Sequence, residues 1–366
     1  MICQAPIFVG SGFLHVVLAW AKERDKMGYT VAIAGATGAV GVEMLKVLAA
    51  HNFPIDELRL LASARSAGKT MEFKGQALTV QELTESSFDG VDIALFAAGS
   101  SITKKFAGAC VKAGAVLIDN SSAFRMDPNV PLVVPEVNPD DAFHHQGIIA
   151  NPNCTTIIML TALMPLHQEW GLSRNHAATY QAASGAGQAA MDELAEGTQA
   201  YLSGEPFTPT ALPYPYAFNM FPHNSPWFND EGYCEEELKM RNESRKMLHE
   251  DGLRVHATCV RVPVLRTHAE ALNVTFNSAC SVERAYELLA TAPGVTVLED
   301  RAANRWPMPT DVSGVEDVYV GRIRRDPSLD NTLDMWVVGD QLLKGAALNA
   351  VQIAELLIRE PSALKG

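Results

Sequence analysis

Two short segments of this chain collect residue types that could do chemistry. The first is Asn151-Pro152-Asn153-Cys154-Thr155-Thr156, which stands directly before an apolar stretch running from Cys154 to Gln168. That stretch reads as one helix, interrupted near its end by Pro165. Cys154 then lies at a helix N-terminus, where unpaired N–H groups and the helix dipole favour a thiolate. A thiolate can attack an acyl carbon, form a thioester and split acyl reduction into two easier steps. A single cysteine is more often a small core residue; the helix start and the polar flanks are what point to a nucleophile. The second segment is Gly35-Ala36-Thr37-Gly38-Ala39-Val40-Gly41. Glycines there allow a tight turn and bring backbone N–H groups, at a helix N-terminus, close to a pyrophosphate.

The elements that must position these segments follow from apolar periodicity. Thr30–Ala34 is a short β-branched run that ends in glycine, so it reads as a buried parallel strand. Gly38–Ala50 reads as the helix after it, and Leu58–Ala62 as a second strand. Val91–Ala97 and Val116–Ile118 read as strands, separated by a helix over Ile102–Ala113. This alternation predicts a Rossmann-type doubly wound parallel sheet. The glycine segment therefore has the strand before it and the helix after it that a dinucleotide loop requires. An NAD site usually places Asp or Glu near the end of the second strand, to hold the ribose hydroxyls. Here that strand runs into Ser63-Ala64-Arg65-Ser66, an arginine flanked by hydroxyls, which suits a 2′-phosphate. The expected cofactor is NADP(H), held by Gly35, Thr37, Gly38, Ala39 and Val40, with Ser63, Arg65 and Ser66 at the 2′-phosphate.

Beyond Asn151 the pattern changes. Ser203–Pro226 is proline- and aromatic-rich and reads as an irregular excursion, Glu235–His249 as a charged helix, and Val255–Pro263 and Ala271–Asn277 as strands. Gln341–Glu360 reads as one long terminal helix that packs back on the first domain. At the other end, Ala5–Trp20 is apolar and is followed by Lys22-Glu23-Arg24-Asp25-Lys26. It lacks the leading positive charge and cleavage site of a signal peptide and is short for a membrane span. We read residues 1–26 as an upstream extension outside the fold, with Met27 as the natural start.

Composition sets limits on partners. The net charge of −13 argues against a nucleic-acid partner, and 48% hydrophobic with 19% charged residues is ordinary for a globular chain of 366 residues. Such a length suggests two or three domains. The six cysteines are scattered without a C-x-x-C pair, which points to a reducing cytoplasm, and no metal-ligand motif is present. No membrane association is expected.

From Met27 onward the chain resembles the aspartate-β-semialdehyde dehydrogenases. The matching pieces are Gly35–Gly41, Asp119–Arg125, Asn151–Thr156, Gln181 with Ser184–Gly187, Glu235–Lys239, and Arg261-Val262-Pro263-Val264 followed by Arg266 and His268. Several separate motifs in the right order make the resemblance specific. It implies NADPH-dependent reductive dephosphorylation of L-aspartyl-4-phosphate to L-aspartate 4-semialdehyde, in the biosynthesis of lysine and diaminopimelate, threonine, methionine and isoleucine. It also implies site roles. Cys154 is the nucleophile, His268 the acid/base and Gln181 the residue that orients the intermediate. Arg261 takes the substrate carboxylate and Glu236 its ammonium, and Arg125 and Lys239 with Asn153 take the phosphate. Ser184, Gly185 and Asn349 are candidates for the nicotinamide end. The implied fold is an α/β chain in which the doubly wound domain, residues 27–153 completed by the C-terminal helix 345–366, is joined to an α+β catalytic/dimerisation domain, residues 154–344, in a homodimer. Two rivals remain. N-acetyl-γ-glutamyl-phosphate reductase shares the fold and chemistry, but its substrate offers no ammonium to Glu236. A catalytically silent paralogue with a binding role should have lost the nucleophile, the histidine or the arginine.

Overall fold

The computed structural model describes residues 28–226 and 230–364. The expected extension over residues 1–26, and the last two residues of the expected C-terminal helix, lie outside them. The first half builds a six-stranded sheet in the order β5-β2-β1-β6-β7-β8. Its strands are β1 (Tyr29–Ala34), β2 (Ile55–Ala62), β5 (Gln81–Glu82), β6 (Ile93–Phe96), β7 (Val116–Asp119) and β8 (Ile148–Ala150), with β3 (Thr70–Phe73) and β4 (Gln76–Thr79) forming a separate hairpin. Every neighbouring pair in the large sheet is parallel. The chain leaves β1 for β2 on one side and returns to β6 on the other. The C-terminal edge of β1 is thus the switch point where doubly wound sheets open a crevice for ligands, and the glycine segment leaves β1 there.

Sterics explain why glycine occupies two positions in that segment. Gly35 has φ +89°, and a Cβ on Gly41 would lie 2.3 Å from the Gly35 carbonyl oxygen. The helix Ala39–Ala50 can start here because its first turn, at Gly41, packs this closely on the loop.

The second half forms a seven-stranded mixed sheet in the order β10-β11-β9-β12-β15-β14-β13. These strands are β9 (Leu172–Gln181), β10 (Phe221–Pro222), β11 (Arg254–Arg261), β12 (His268–Phe276), β13 (Val295–Val297), β14 (Val318–Arg325) and β15 (Thr332–Gly339). The helix Cys154–Trp170 lies on one face of this sheet. Its residues Ile157, Ile158, Met159, Leu160 and Leu163 share a core with Leu272, Val274, Phe276, Met335 and Val337. Pro165 does not interrupt that helix, which continues to Trp170 and ends at Gly171 with φ +68°. Proline costs a helix one hydrogen bond; a helix packed along most of its length makes up that loss through burial.

The terminal segment, by contrast, is not one uniform helix. Leu343–Ala347 is a π-turn, with the Ala347 N–H donating to Leu342 O at 3.0 Å, and the α-helix proper is Leu348–Arg359. Leu348, Val351, Ile353, Ala354 and Leu357 of that helix share a core with Val31, Ile33, Leu95 and Ile118. The C-terminus therefore returns to the first sheet, while the π-turn just before it faces the second half. Arg266 adds a polar tie between the halves: it bonds Asp340 at 2.7 Å and Glu43, on the first helix, at 3.0 Å.

The Gly41 contact yields a stability prediction. Gly41→Ala forces Cβ into backbone that cannot move without opening the loop, at a cost of about 1–3 kcal/mol. Urea denaturation should show that loss, and an unchanged midpoint would mean the loop is looser than the structure shows.

Candidate active site

The polar side chains of five distant segments meet in one cleft of about 340 Å³ between the two halves. Cys154 opens the helix Cys154–Trp170, and Asn153 is its N-cap. The Asn153 Oδ1 accepts from Thr155 N at 3.1 Å and Thr156 N at 3.4 Å, satisfying two of the orphan donors of the helix start. Its Nδ2 donates to Glu236 Oε1 at 2.9 Å. The cap therefore serves both the helix that Cys154 opens and the carboxylate opposite.

Glu236 lies in the first turn of the helix Glu235–Met247 and is 6% exposed. Its carboxylate also accepts from Gln181 Nε2 at 3.1 Å and from Lys239 Nζ at 3.3 Å. Burial works against the charge, but His223 in its protonated form at low pH, the Lys239 ammonium and the Asn153 and Gln181 amides hold the carboxyl well below the usual carboxylate range. His223 lies close by. Burial pushes it down to about 4, so it is neutral near pH 7 and Lys239 is the cation that counts.

Arg261 and Gln181 are register partners at the ends of β11 and β9. The Arg261 Nη1 donates to Ala182 O at 3.1 Å, and its Nε is buried without a partner. His268 begins β12. Its Nδ1 accepts from Ala182 N at 3.0 Å, which places the imidazole proton on Nε2. That Nε2 has no partner, and burial together with the Arg261 charge pushes the imidazole down to about 3. Gly185 closes over both groups: a Cβ there would lie 3.0 Å from Arg261 Nη1 and from His268 Cε1.

Arg125 comes from the loop after β7. Its Nε and Nη2 donate to the carbonyls of Asn151 and Asn120, each at 2.9 Å, and Nη1 pairs with Glu243 at 3.1 Å. One N–H on each terminal nitrogen remains for a ligand. Glu243, which the sequence reading did not single out, also accepts from the backbone N–H of Asn153 at 2.6 Å. It lies seven residues after Glu236, on the same helical face, and that spacing was the available signal. Gln341 was also missed. It lines the cleft and bridges Ser184 Oγ and the backbone N–H of Thr267.

The candidate cofactor residues fall into two groups. Gly35, Thr37, Gly38, Ala39 and Val40 lie at the switch-point crevice; no side chain caps the helix Ala39–Ala50, and Val40 lines the same cleft as Cys154. Ser63 and Arg65 are exposed in the turn after β2, with Ser66 buried beneath them. Ser184 and Gly185 line the cleft. Asn349 does not. It is buried behind the wall, where its Nδ2 reaches Val133 O at 2.9 Å and Asn151 Oδ1 at 2.6 Å.

The helix start does not by itself produce a thiolate. Burial and the Glu236 charge push the Cys154 thiol up to about 12, against the opposing pull of Arg125 and Arg261. The sign gives a test. Alkylation of the free protein at Cys154 should climb about tenfold per pH unit without a plateau through about pH 10. Glu236→Gln removes a negative neighbour, lowers that pKa and should speed alkylation at fixed pH. A plateau near neutrality in the unsubstituted protein would contradict this electrostatic picture.

Comparison with known proteins agrees with this geometry. Residues 30–145 match the family model described as semialdehyde dehydrogenase, NAD binding domain, and residues 163–344 match semialdehyde dehydrogenase, dimerisation domain. An aspartate-semialdehyde dehydrogenase of Synechocystis is 57% identical over 90% of this chain and 97% of its own length. The Bacillus subtilis protein of that name is 51% identical, over 90% of this chain and 97% of its own. The crystal structure of aspartate semialdehyde dehydrogenase II of Vibrio cholerae, complexed with ASA, has a TM-score of 0.88 at 45% identity, covering 91% of this chain and 99% of that one. A Candida albicans structure with NADP has a TM-score of 0.70 at 24% identity, covering 90% of this chain and 98% of that one, a likeness of fold. The chain thus belongs to the aspartate-semialdehyde dehydrogenases (EC 1.2.1.11) and has their activity in the biosynthesis of the aspartate-family amino acids.

Proposed function

We propose that the cleft converts L-aspartyl-4-phosphate to L-aspartate 4-semialdehyde, reversibly, through a thioester on Cys154 with NADP(H) as cofactor. The observation that carries this reading is the set of groups around one sulfur: an ionised buried carboxylate, a guanidinium with open donors, and a separate cationic pair, Arg125 and Lys239. The substrate's ammonium, carboxylate and phosphate are complementary to them in that order. A planar guanidinium suits a carboxylate through two parallel bonds, which assigns Arg261 to it. An N-acylated substrate brings no cation to Glu236, whose ionised state favours the free amine.

The dinucleotide fits the residues present. The uncapped helix start after Gly38 leaves backbone N–H groups for a pyrophosphate. The exposed Arg65, with no acid at the end of β2, suits a 2′-phosphate. Bound NADPH supplies the hydride for the thioester carbon. The chain's own residues do the rest. In the attack the Cys154 S–H bond breaks as the sulfur bonds the acyl carbon, the C–O bond to phosphate breaks into the Arg125/Lys239 end of the cleft, and the departing phosphate takes the thiol proton. Once the acyl carbon is reduced, the C–S bond breaks to release the aldehyde and the sulfur regains a proton. Gln181, held by Glu236, fixes the acyl group. His268 presents its Nε2 proton to the oxygen that becomes negative at each tetrahedral stage, where a fixed donor is worth most.

Binding also retunes the two titrating groups. Burial is the larger cause that keeps the thiol protonated, and a substrate ammonium on Glu236 offsets the smaller part that comes from its charge. Burial is likewise the larger cause that depresses His268, and a substrate carboxylate on Arg261 offsets the part that comes from the guanidinium.

We also infer a homodimer in a reducing cytoplasm. The face of the second sheet opposite the helix Cys154–Trp170 carries half-buried Tyr180, Tyr319 and Trp336, an apolar surface suited to a second copy. The described cysteines, Cys110, Cys154, Cys234, Cys259 and Cys280, are all free.

The reading is checked by phosphate-dependent NADP reduction with aspartate semialdehyde against N-acetylglutamate semialdehyde, where the first should be strongly preferred. Cys154→Ala should lower kcat by about 10⁴-fold or more, as loss of a covalent nucleophile does; substantial residual turnover excludes the thioester. Arg65→Ser should raise the KM for NADPH about tenfold while leaving that for NADH nearly unchanged. An equal change for both would remove Arg65 from the 2′-phosphate.

A further inference from the structure

Lys344 is an unusual residue to find inside a protein. It sits in the π-turn, and its side chain is 1% exposed. Its ammonium bonds the Glu136 carboxylate, Gln352 Oε1 at 2.7 Å and Asn349 Oδ1 at 3.0 Å. The chemistry described so far makes no use of it.

Its effect passes outward along three amides. An ammonium has only donors, so Asn349 must turn its oxygen toward Lys344. The Asn349 Nδ2 is then left to donate to Asn151 Oδ1 at 2.6 Å. That fixes Asn151 in turn, and its Nδ2 donates to Asn120 Oδ1 at 2.8 Å. The Asn120 Nδ2 ends the series on the Phe96 carbonyl at 3.0 Å. The series begins on a group that cannot accept and ends on a group that cannot donate, so every amide along it has a single allowed orientation. Asn151 and Asn120 are the residues whose backbone carbonyls hold the two sides of the Arg125 guanidinium. Lys344 and Asn349 do not line the cleft, whereas Asn151, Asn120 and Arg125 do.

We propose that Lys344 is a positioning residue for the anion end of the cleft, setting the plane of Arg125 through Asn349, Asn151 and Asn120. The ligand it serves is a phosphate group, as leaving group in one direction and attacking group in the other. The inference rests on the reading of Arg125 and Lys239 as the phosphate pocket. A purely structural role would confine Lys344 to neutralising Glu136 and tying the π-turn to the segment between β7 and β8.

The experiment uses the full-length enzyme with inorganic phosphate as the probe. Two quantities are measured: KM for phosphate in aldehyde oxidation, and the rise in Tm that phosphate causes in the free protein. Lys344→Met should raise the phosphate KM about tenfold or more and abolish the Tm rise, while the KM for the aldehyde changes less than about twofold, the pattern of a displaced binding group. Asn349→Asp is a near-isosteric second variant. It still meets Lys344 but cannot donate to Asn151, so it should raise the phosphate KM as well, and it covers the case in which Lys344→Met fails to fold. Glu136→Gln removes the ion pair and keeps the amide series, so it should lower Tm yet leave the phosphate KM unchanged. An unchanged phosphate KM in Asn349→Asp, or parallel shifts in Lys344→Met and Glu136→Gln, overturns the proposal. Arg125→Lys separates the two readings. If it raises the phosphate KM while Asn349→Asp does not, the relay is wrong; if it leaves that KM unmoved, the pocket assignment is wrong.

Discussion

The site depends on one buried carboxylate. Glu236 joins segments that are far apart in the chain: Asn153 is 83 residues before it and Gln181 55 before it, yet both amides converge on a single oxygen. A charge taken out of water is tolerated only when its lone pairs are matched. Here the matching groups are the cap of the Cys154 helix, the end of a central strand and a lysine one turn along. Holding Glu236 ionised therefore also holds Cys154, Gln181 and Lys239 in fixed relation. The same charge raises the thiol it positions, so in the free protein organisation comes at the expense of nucleophilicity.

A second constraint is that neither half can close the cleft alone. The glycine segment and Arg125 come from the parallel sheet; Gln181, Arg261 and His268 come from strand ends of the mixed sheet. The terminal segment reconciles them. Its α-helix belongs to the core of the first sheet, and its π-turn brings Gly345 so near Cys154 that a Cβ there would lie 2.9 Å from the cysteine's own. A π-turn widens a helix by one residue. At this point it lets one continuous segment satisfy the packing of the first half and the close approach demanded by the second.

Much of this was legible in the sequence where local pattern and local chemistry coincide. The strand, glycine loop and helix from Thr30 to Ala50 are read correctly because one short stretch carries all three signals. The helix start at Cys154 is equally local. What escaped reading was set at long range. Pro165 looked like an interruption because the loss of one hydrogen bond is a local fact, whereas the burial that offsets it comes from strands a hundred residues on. The π-turn at Leu343–Ala347 has the composition of ordinary helix. Strands β9, β14 and β15 and the order of the second sheet were not read, since alternation shows a strand but not its neighbours. Glu243 and Gln341 carry no motif of their own. Asn349 was expected beside the nicotinamide and lies instead one layer behind the cleft, a distinction that spacing along a helix does not encode.

The chain's overall acidity and its anionic substrate class are compatible for a local reason. Arg125 is balanced by Glu243, Lys239 by Glu235 and Glu236, and Arg266 by Glu43 and Asp340. Such pairing leaves little net positive field to draw anions from a distance, so recognition has to come from open donors at short range. Arg261 shows how that is arranged. Among the described residues, only one of its nitrogens is bonded to protein, its Nε is buried without a partner, and no carboxylate pairs with it. An unpaired guanidinium in a buried wall is costly to the free protein. A carboxylate seated there would relieve that cost, which is the physical ground for the carboxylate-binding role proposed for Arg261.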